Sequence, residues 1–205
     1  MIQFPKDAKR IVGCDLDDVL ADFISVFMKI ADARYKSIRS DEYVNYDWEW
    51  TGLGKTPEDT QTIIDGVWAE ILNTENFWEE LPIESGVDPW LVSDLNHKAK
   101  VYFPTARAIC RGRDVGEQSA YWLRKNFMLP FPTVFVSDQK GPLAAALKYD
   151  YFIDDRPKNC VEVKKARPEC KVFLKDAGHN QGVVLPEIPR VMGFNDFAGI
   201  VLRGE

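Results

Sequence analysis

An α/β fold, with a parallel sheet flanked by helices and a small helical insertion after its first strand and helix, is the architecture this sequence predicts. Three observations carry that expectation. Short apolar, β-rich runs alternate with segments of helical spacing, the pattern of strand–helix units. The runs are nearly continuous in apolar residues, as befits strands covered on both faces. Several of them end at a carboxylate, a hydroxyl or an ammonium, and the C-terminal edge of a parallel sheet is where open α/β folds bind ligands.

The elements follow in chain order. Arg10-Ile11-Val12-Gly13-Cys14 reads as the first strand and runs into Asp15-Leu16-Asp17-Asp18. From Val19 to Tyr35 the apolar positions Val19, Phe23, Val26, Phe27 and Ile30 can share one helical face. The stretch 36–82 differs in composition, with Tyr43, Tyr46, Trp48, Trp50, Trp68, Phe77 and Trp78 set among many acids. Pro57-Glu58-Asp59 suits the start of a helix, with proline in the first turn and acids at the positive end. The expected division is a core of residues 1–35 and 83–205 with a small helical cap at 36–82, too short to count as a separate domain. Lys98 to Phe103, Thr133 to Val136, Tyr149 to Ile153, Lys171 to Leu174 and the shorter Pro189 to Met192 read as the later strands. Helical stretches fall around Val115–Asn126, Leu143–Leu147 and Lys158–Ala166.

Composition narrows the function. A chain of 205 residues, 45% hydrophobic, can bury a full α/β core. Its net charge of −6 argues against a general binder of nucleic-acid polymers, whose affinity comes largely from lysine and arginine contacts to phosphates. Cys14, Cys110, Cys160 and Cys170 have no CxxC spacing, which speaks against zinc. No signal peptide and no apolar run long enough for a membrane span are visible, so the expected location is the cytoplasm.

Asp15, Asp17, Thr105, Lys140, Asp154 and Asp155 each follow an expected strand closely, so each belongs at one edge of the sheet. Crowded carboxylates repel unless a cation or a shared proton relieves them, and hard oxygen donors suit Mg²⁺. Two acidic clusters, a hydroxyl and an ammonium are an inventory for metal-assisted phosphoryl transfer.

In these residues the chain resembles the haloacid dehalogenase-like (HAD) hydrolases, whose sheet is Rossmann-like. Val12-Gly13-Cys14-Asp15-Leu16-Asp17, Val101-Tyr102-Phe103-Pro104-Thr105, Lys140, and Phe152-Ile153-Asp154-Asp155 match the four motifs in order. A closer resemblance is to the 5′(3′)-deoxyribonucleotidases. It is carried by Asp15-Leu16-Asp17-Asp18-Val19-Leu20-Ala21-Asp22-Phe23, by Asn76-Phe77-Trp78-Glu79-Glu80-Leu81-Pro82, by Ile153-Asp154-Asp155-Arg156-Pro157 and by His179-Asn180. Two departures stand out: Asp18 where many relatives have glycine, and Thr105-Ala106-Arg107 where related nucleotidases often show Thr-Ser-Pro.

The resemblance implies a Mg²⁺-dependent phosphatase. Asp15 would be nucleophile and metal ligand, and Asp17 the general acid/base, with its backbone carbonyl on the metal. Thr105 would hold a phosphoryl oxygen, and Lys140, with Lys148 as competitor, would pair with the phosphate. Asp154 and Asp155 would complete the metal shell. Arg156 reads as structural, paired with an acid. Phe23 matches an aromatic at the base of the substrate pocket. Tyr46, Trp48, Phe77 and Trp78 could stack on a base or form the cap's own core. Arg107 is open between a substrate contact and a solvent-exposed residue. The implied substrate is a nucleoside monophosphate. A sugar phosphate or another small metabolite is the alternative, and a non-catalytic regulatory protein on the same scaffold a third reading. The aromatic cap is also a candidate homodimer contact.

Overall fold

The computed structural model describes residues 9–35 and 53–204. Tyr43, Tyr46, Trp48 and Trp50, with most of the first half of the expected cap, lie outside them. The elements run β1 (Ile11–Cys14), α1 (Phe23–Tyr35), α2 (Pro57–Asn73), a short 3-10 turn (Phe77–Glu79), α3 (Pro89–Lys98), β2 (Lys100–Thr105), α4 (Val115–Phe127), β3 (Thr133–Val136), α5 (Lys140–Leu147), β4 (Tyr151–Asp154), α6 (Pro157–Ala166), β5 (Lys171–Lys175), β6 (Arg190–Val191) and α7 (Phe194–Arg203).

Among the described residues the sheet has six strands in the order β3-β2-β1-β4-β5-β6, all parallel. Strand order reverses at β1, which lies between β2 and β4, so the crevice at their C-terminal ends is the topological switch point. Period-2 alternation sends each strand's side chains to two cores. Val12, Cys14, Val101, Phe103, Tyr151 and Ile153 face the layer holding α1, α3, α4 and α7. Tyr102, Phe152, Val172 and Leu174 face α5 and α6. Gly13 is required on that second face, because a β-carbon there would run into the Tyr149 ring.

The structure shifts several expected boundaries. The first helix starts at Phe23 rather than Val19, because 16–21 closes a tight turn. Leu16 accepts hydrogen bonds from the amides of Val19, Leu20 and Ala21, and Asp18 donates to the Ala21 carbonyl at 2.6 Å. Asp18 sits in the left-handed region at φ 57°, which accounts for a position where relatives carry glycine; aspartate tolerates it better than most residues. Its carboxylate also accepts from the Phe23 and Ile24 amides, so it caps α1.

Two helices of the described residues, α3 and α7, fall outside the expected helical stretches. α3 is announced by Asp88-Pro89, with the Asp88 carboxylate accepting from the Trp90 amide and proline in the first turn. α7 is announced by the helical spacing of its buried Phe194, Phe197, Ala198 and Val201. α5 starts at Lys140 itself, so that lysine belongs to a helical first turn rather than a loop.

Candidate active site

Register brings the site together. Cys14 pairs with Ile153 and the Asp15 amide donates to the Ile153 carbonyl at 3.1 Å, which sets Asp15 beside Asp154. β2 pairs on the other side of β1 and ends at Thr105. Lys140 projects from the start of α5 into the space between the carboxylates. Its ammonium lies 2.7 Å from Asp15 Oδ1 and 2.6 Å from Asp154 Oδ2, and the lysine is 2% exposed. Burial alone would lower its pKa, but the Asp15 and Asp154 charges outweigh that and hold it above the usual lysine value.

The carboxylates differ in how they are held. Asp154 accepts from Lys140, from the Arg156 amide at 2.8 Å and, on both oxygens, from Asn159 Nδ2. Burial still raises its pKa against the charge of Lys140. Burial likewise lifts Asp15 well above the carboxylate range, with Lys140 opposing and the neighbouring acids adding. Asp155 goes the other way. Burial would raise it, but the hydrogen bond and charge of His179, 2.9 Å from Oδ2, together with Lys140, bring it below the ordinary value. Asn180, fully buried, donates to the Asp155 carbonyl at 2.7 Å and to the Lys175 carbonyl at 2.8 Å.

Carboxylate oxygens of Asp15, Asp154 and Asp155 lie within 4.8 Å of one another, a hard, anionic donor set that fits Mg²⁺. The Asp17 carboxylate is not in that group; it pairs with Arg107 Nη2 at 2.8 Å. Thr105 is fully buried, and its Oγ1 has no hydrogen-bond partner. A buried hydroxyl without a partner carries a cost. Lys148 follows α5 at its far end as the C-cap in a left-handed conformation, away from Lys140's position at the helix start.

Of the aromatic candidates, Phe23, Phe77 and Trp78 lie among the described residues and are buried. The Phe23 ring lies 5.7 Å from Trp68, 6.5 Å from Phe77 and 5.6 Å from Trp78, centroid to centroid, and all but Trp68 are buried. Trp78 Nε1 donates to the Ala108 carbonyl at 2.9 Å. Among the described residues these rings pack on one another. Arg107 is neither solvent-exposed nor aimed at open space: it is buried against Asp17, Ser119 and two tryptophans. Arg156 has no ion pair among the described residues, contrary to expectation, and its Nε is buried without a partner.

A parallel sheet with this acidic crevice at its switch point defines a HAD-like hydrolase fold. Solved structures agree. A haloacid dehalogenase-like hydrolase from Burkholderia xenovorans LB400 matches with a TM-score of 0.59 at 13% identity, covering 96% of this chain and 98% of that one. The HAD-hydrolase YfnB from Bacillus subtilis, solved bound to magnesium, matches with a TM-score of 0.57 at 15% identity, covering 96% of this chain and all (100%) of that one. At the level of family, residues 9–203 match the profile described as 5′ nucleotidase, deoxy (pyrimidine), cytosolic type C protein, and the chain belongs to that family. A curated nucleotidase of Clostridium acetobutylicum is 30% identical over 115 residues, a match spanning 55% of this chain and 56% of that protein, about half the length of each. No described helix is long and apolar enough to cross a membrane.

Proposed function

We propose that this protein is a Mg²⁺-dependent phosphomonoester hydrolase that dephosphorylates nucleoside monophosphates through an aspartyl-phosphate on Asp15. One observation carries the reading: Lys140 bridges Asp15 and Asp154, while the strand next to β1 ends at the buried, unpartnered Thr105 hydroxyl. Lys140 neutralises and orients Asp15. The Asp15 carboxylate oxygen bonds to phosphorus as the ester P–O bond breaks, and the departing oxygen takes the electron pair and a proton from Asp17. Asp17 then removes a proton from water, whose oxygen bonds to phosphorus as the acyl-phosphate P–O bond breaks, restoring Asp15. Thr105 and Lys140 donate to phosphoryl oxygens throughout. Asp15, Asp154 and Asp155, with the Asp17 backbone carbonyl, are the residues that would hold Mg²⁺, which when bound offsets repulsion between Asp15 and the phosphate dianion.

Family membership and the nucleotidase named among its relatives support a nucleotide substrate. A phosphatase for sugar phosphates or another small metabolite is the second reading. It is favoured by the packing of Phe23, Phe77 and Trp78 on one another, which leaves base stacking to Tyr46 and Trp48. A phosphate-release screen over nucleoside monophosphates and sugar phosphates with Mg²⁺ separates the two. Preference for nucleotides supports the first reading, preference for sugar phosphates the second, and no release from any phosphomonoester contradicts both.

A further inference from the structure

Arg107 stands where the family resemblance leads one to expect proline, and its surroundings are too specific for filler. Its Nε lies 3.0 and 3.1 Å from the two Asp17 carboxylate oxygens, and its Nη2 donates to Oδ1 at 2.8 Å. The remaining terminal nitrogen, Nη1, donates to Ser119 Oγ at 3.0 Å. The guanidinium carbon lies over two indoles, 5.0 Å from the Trp78 centroid and 5.7 Å from that of Trp122. Both indoles are themselves anchored, Trp78 by Ala108 and Trp122 through a 2.7 Å bond to the Leu81 carbonyl. The arginine side chain is fully enclosed, whereas that of Asp17 remains 21% exposed.

This is an asymmetric pair. Stacking and Ser119 place the guanidinium independently of Asp17, and the rigid fork of arginine then fixes the carboxylate. The open end of the pair is the carboxylate. We propose that Arg107 is the positioning residue for Asp17, holding its carboxylate in line with the oxygen of the leaving alcohol; this rests on the reading of Asp17 as general acid/base. Because Trp78 belongs to the 3-10 turn, Trp122 to α4 and Arg107 to the segment after β2, three parts of the fold converge on one proton-carrying group. Arg107 acts through Asp17 and not on the phosphate, since its donors point at protein partners.

The test exploits leaving-group chemistry. A nucleoside alkoxide needs a well-placed acid to depart, whereas p-nitrophenolate does not. Single-turnover release of the alcohol reads this first step alone, apart from the water attack common to both substrates. In R107M, release of the nucleoside should slow roughly 100-fold, the lower end of what a positioned acid contributes, while release of p-nitrophenol stays within about threefold. R107K should recover part of the loss, lysine lacking the fork. S119A, which keeps the ion pair and removes one support of the guanidinium, should show a smaller loss with the same split between substrates. R107M placed on D17N should add nothing to D17N.

Equal losses on both substrates, an unchanged release rate, or a rise in KM alone would overturn the proposal. If R107M fails to fold, S119A decides: an equal loss on both substrates, or none, overturns it. Failure of the functional reading looks different. Wild-type enzyme would then release neither alcohol, or D17N would lose equally on both, and the role of Arg107 would fall with it.

Discussion

Lys140→Met removes the single ammonium from a buried triad and leaves Asp15 and Asp154 facing each other with no counter-charge. Lysine and both acids are almost wholly enclosed, so solvent offers little screening. Breaking a buried ion pair from one side costs about 3–5 kcal/mol. For a chain of this size each kcal/mol lowers Tm by about 2–4 °C, so the expected drop is about 6–20 °C. The sign with pH follows from the shifts. Lys140 is raised, so its contribution is fully present below the usual lysine pKa and is lost only as pH climbs through the folded value. Asp15 and Asp154 are raised, so the folded state holds their protons more tightly than the unfolded chain does. Their ionisation therefore costs stability as pH rises from the carboxylate range through the folded values. Removing Lys140 raises them further. The deficit of the variant should be largest near pH 8 and shrink near pH 5. Calorimetric unfolding of both proteins in EDTA at the two pH values is the assay. A Tm within about 2 °C of wild type at pH 8, less than one kcal/mol by the same conversion, would refute the reasoning.

Mg²⁺ should stabilise the protein, since it relieves the same crowding: at a hundred times its Kd the gain is about 2.7 kcal/mol, and EDTA should reverse it in a thermal shift assay. No shift with Mg²⁺ would count against Asp15, Asp154 and Asp155 as ligands. Asp18→Gly should cost less than Asp18→Ala, because both lose the carboxylate cap but only alanine strains the left-handed backbone; denaturant titration should separate them by about 1 kcal/mol. All four cysteines are buried, and burial holds Cys14 and Cys160 well above the ordinary thiol pKa and Cys170 at about 12. A thiol reagent at pH 8 should therefore label none in the native protein and all four after unfolding; rapid native labelling would contradict the packing.

The sheet and the acid-bearing strand ends were legible because each strand carries both its apolar run and its polar terminus within a few residues. Asp15, Thr105 and Asp154 needed only the knowledge that their strands are neighbours. Arg107 was not legible. Its role depends on Trp78, Ser119 and Trp122, which are distant in sequence and reach it only through tertiary packing. The aromatic residues were ambiguous for the opposite reason: Phe23, Phe77 and Trp78 have the same composition whether they pack on one another or on a base. Asp18 was legible only as a departure from glycine; its capping of α1 and its left-handed backbone both follow from a turn that no periodicity announces. α7 carries a legible signal, its buried positions recurring every three or four residues.

The most direct test of the central claim is to quench the enzyme in acid during turnover of a substrate labelled in its phosphoryl group, and to map the label. Covalent phosphate on Asp15, absent from Asp15→Asn, is the predicted result. Turnover by wild type without label on that residue, or turnover retained by Asp15→Asn, would contradict it.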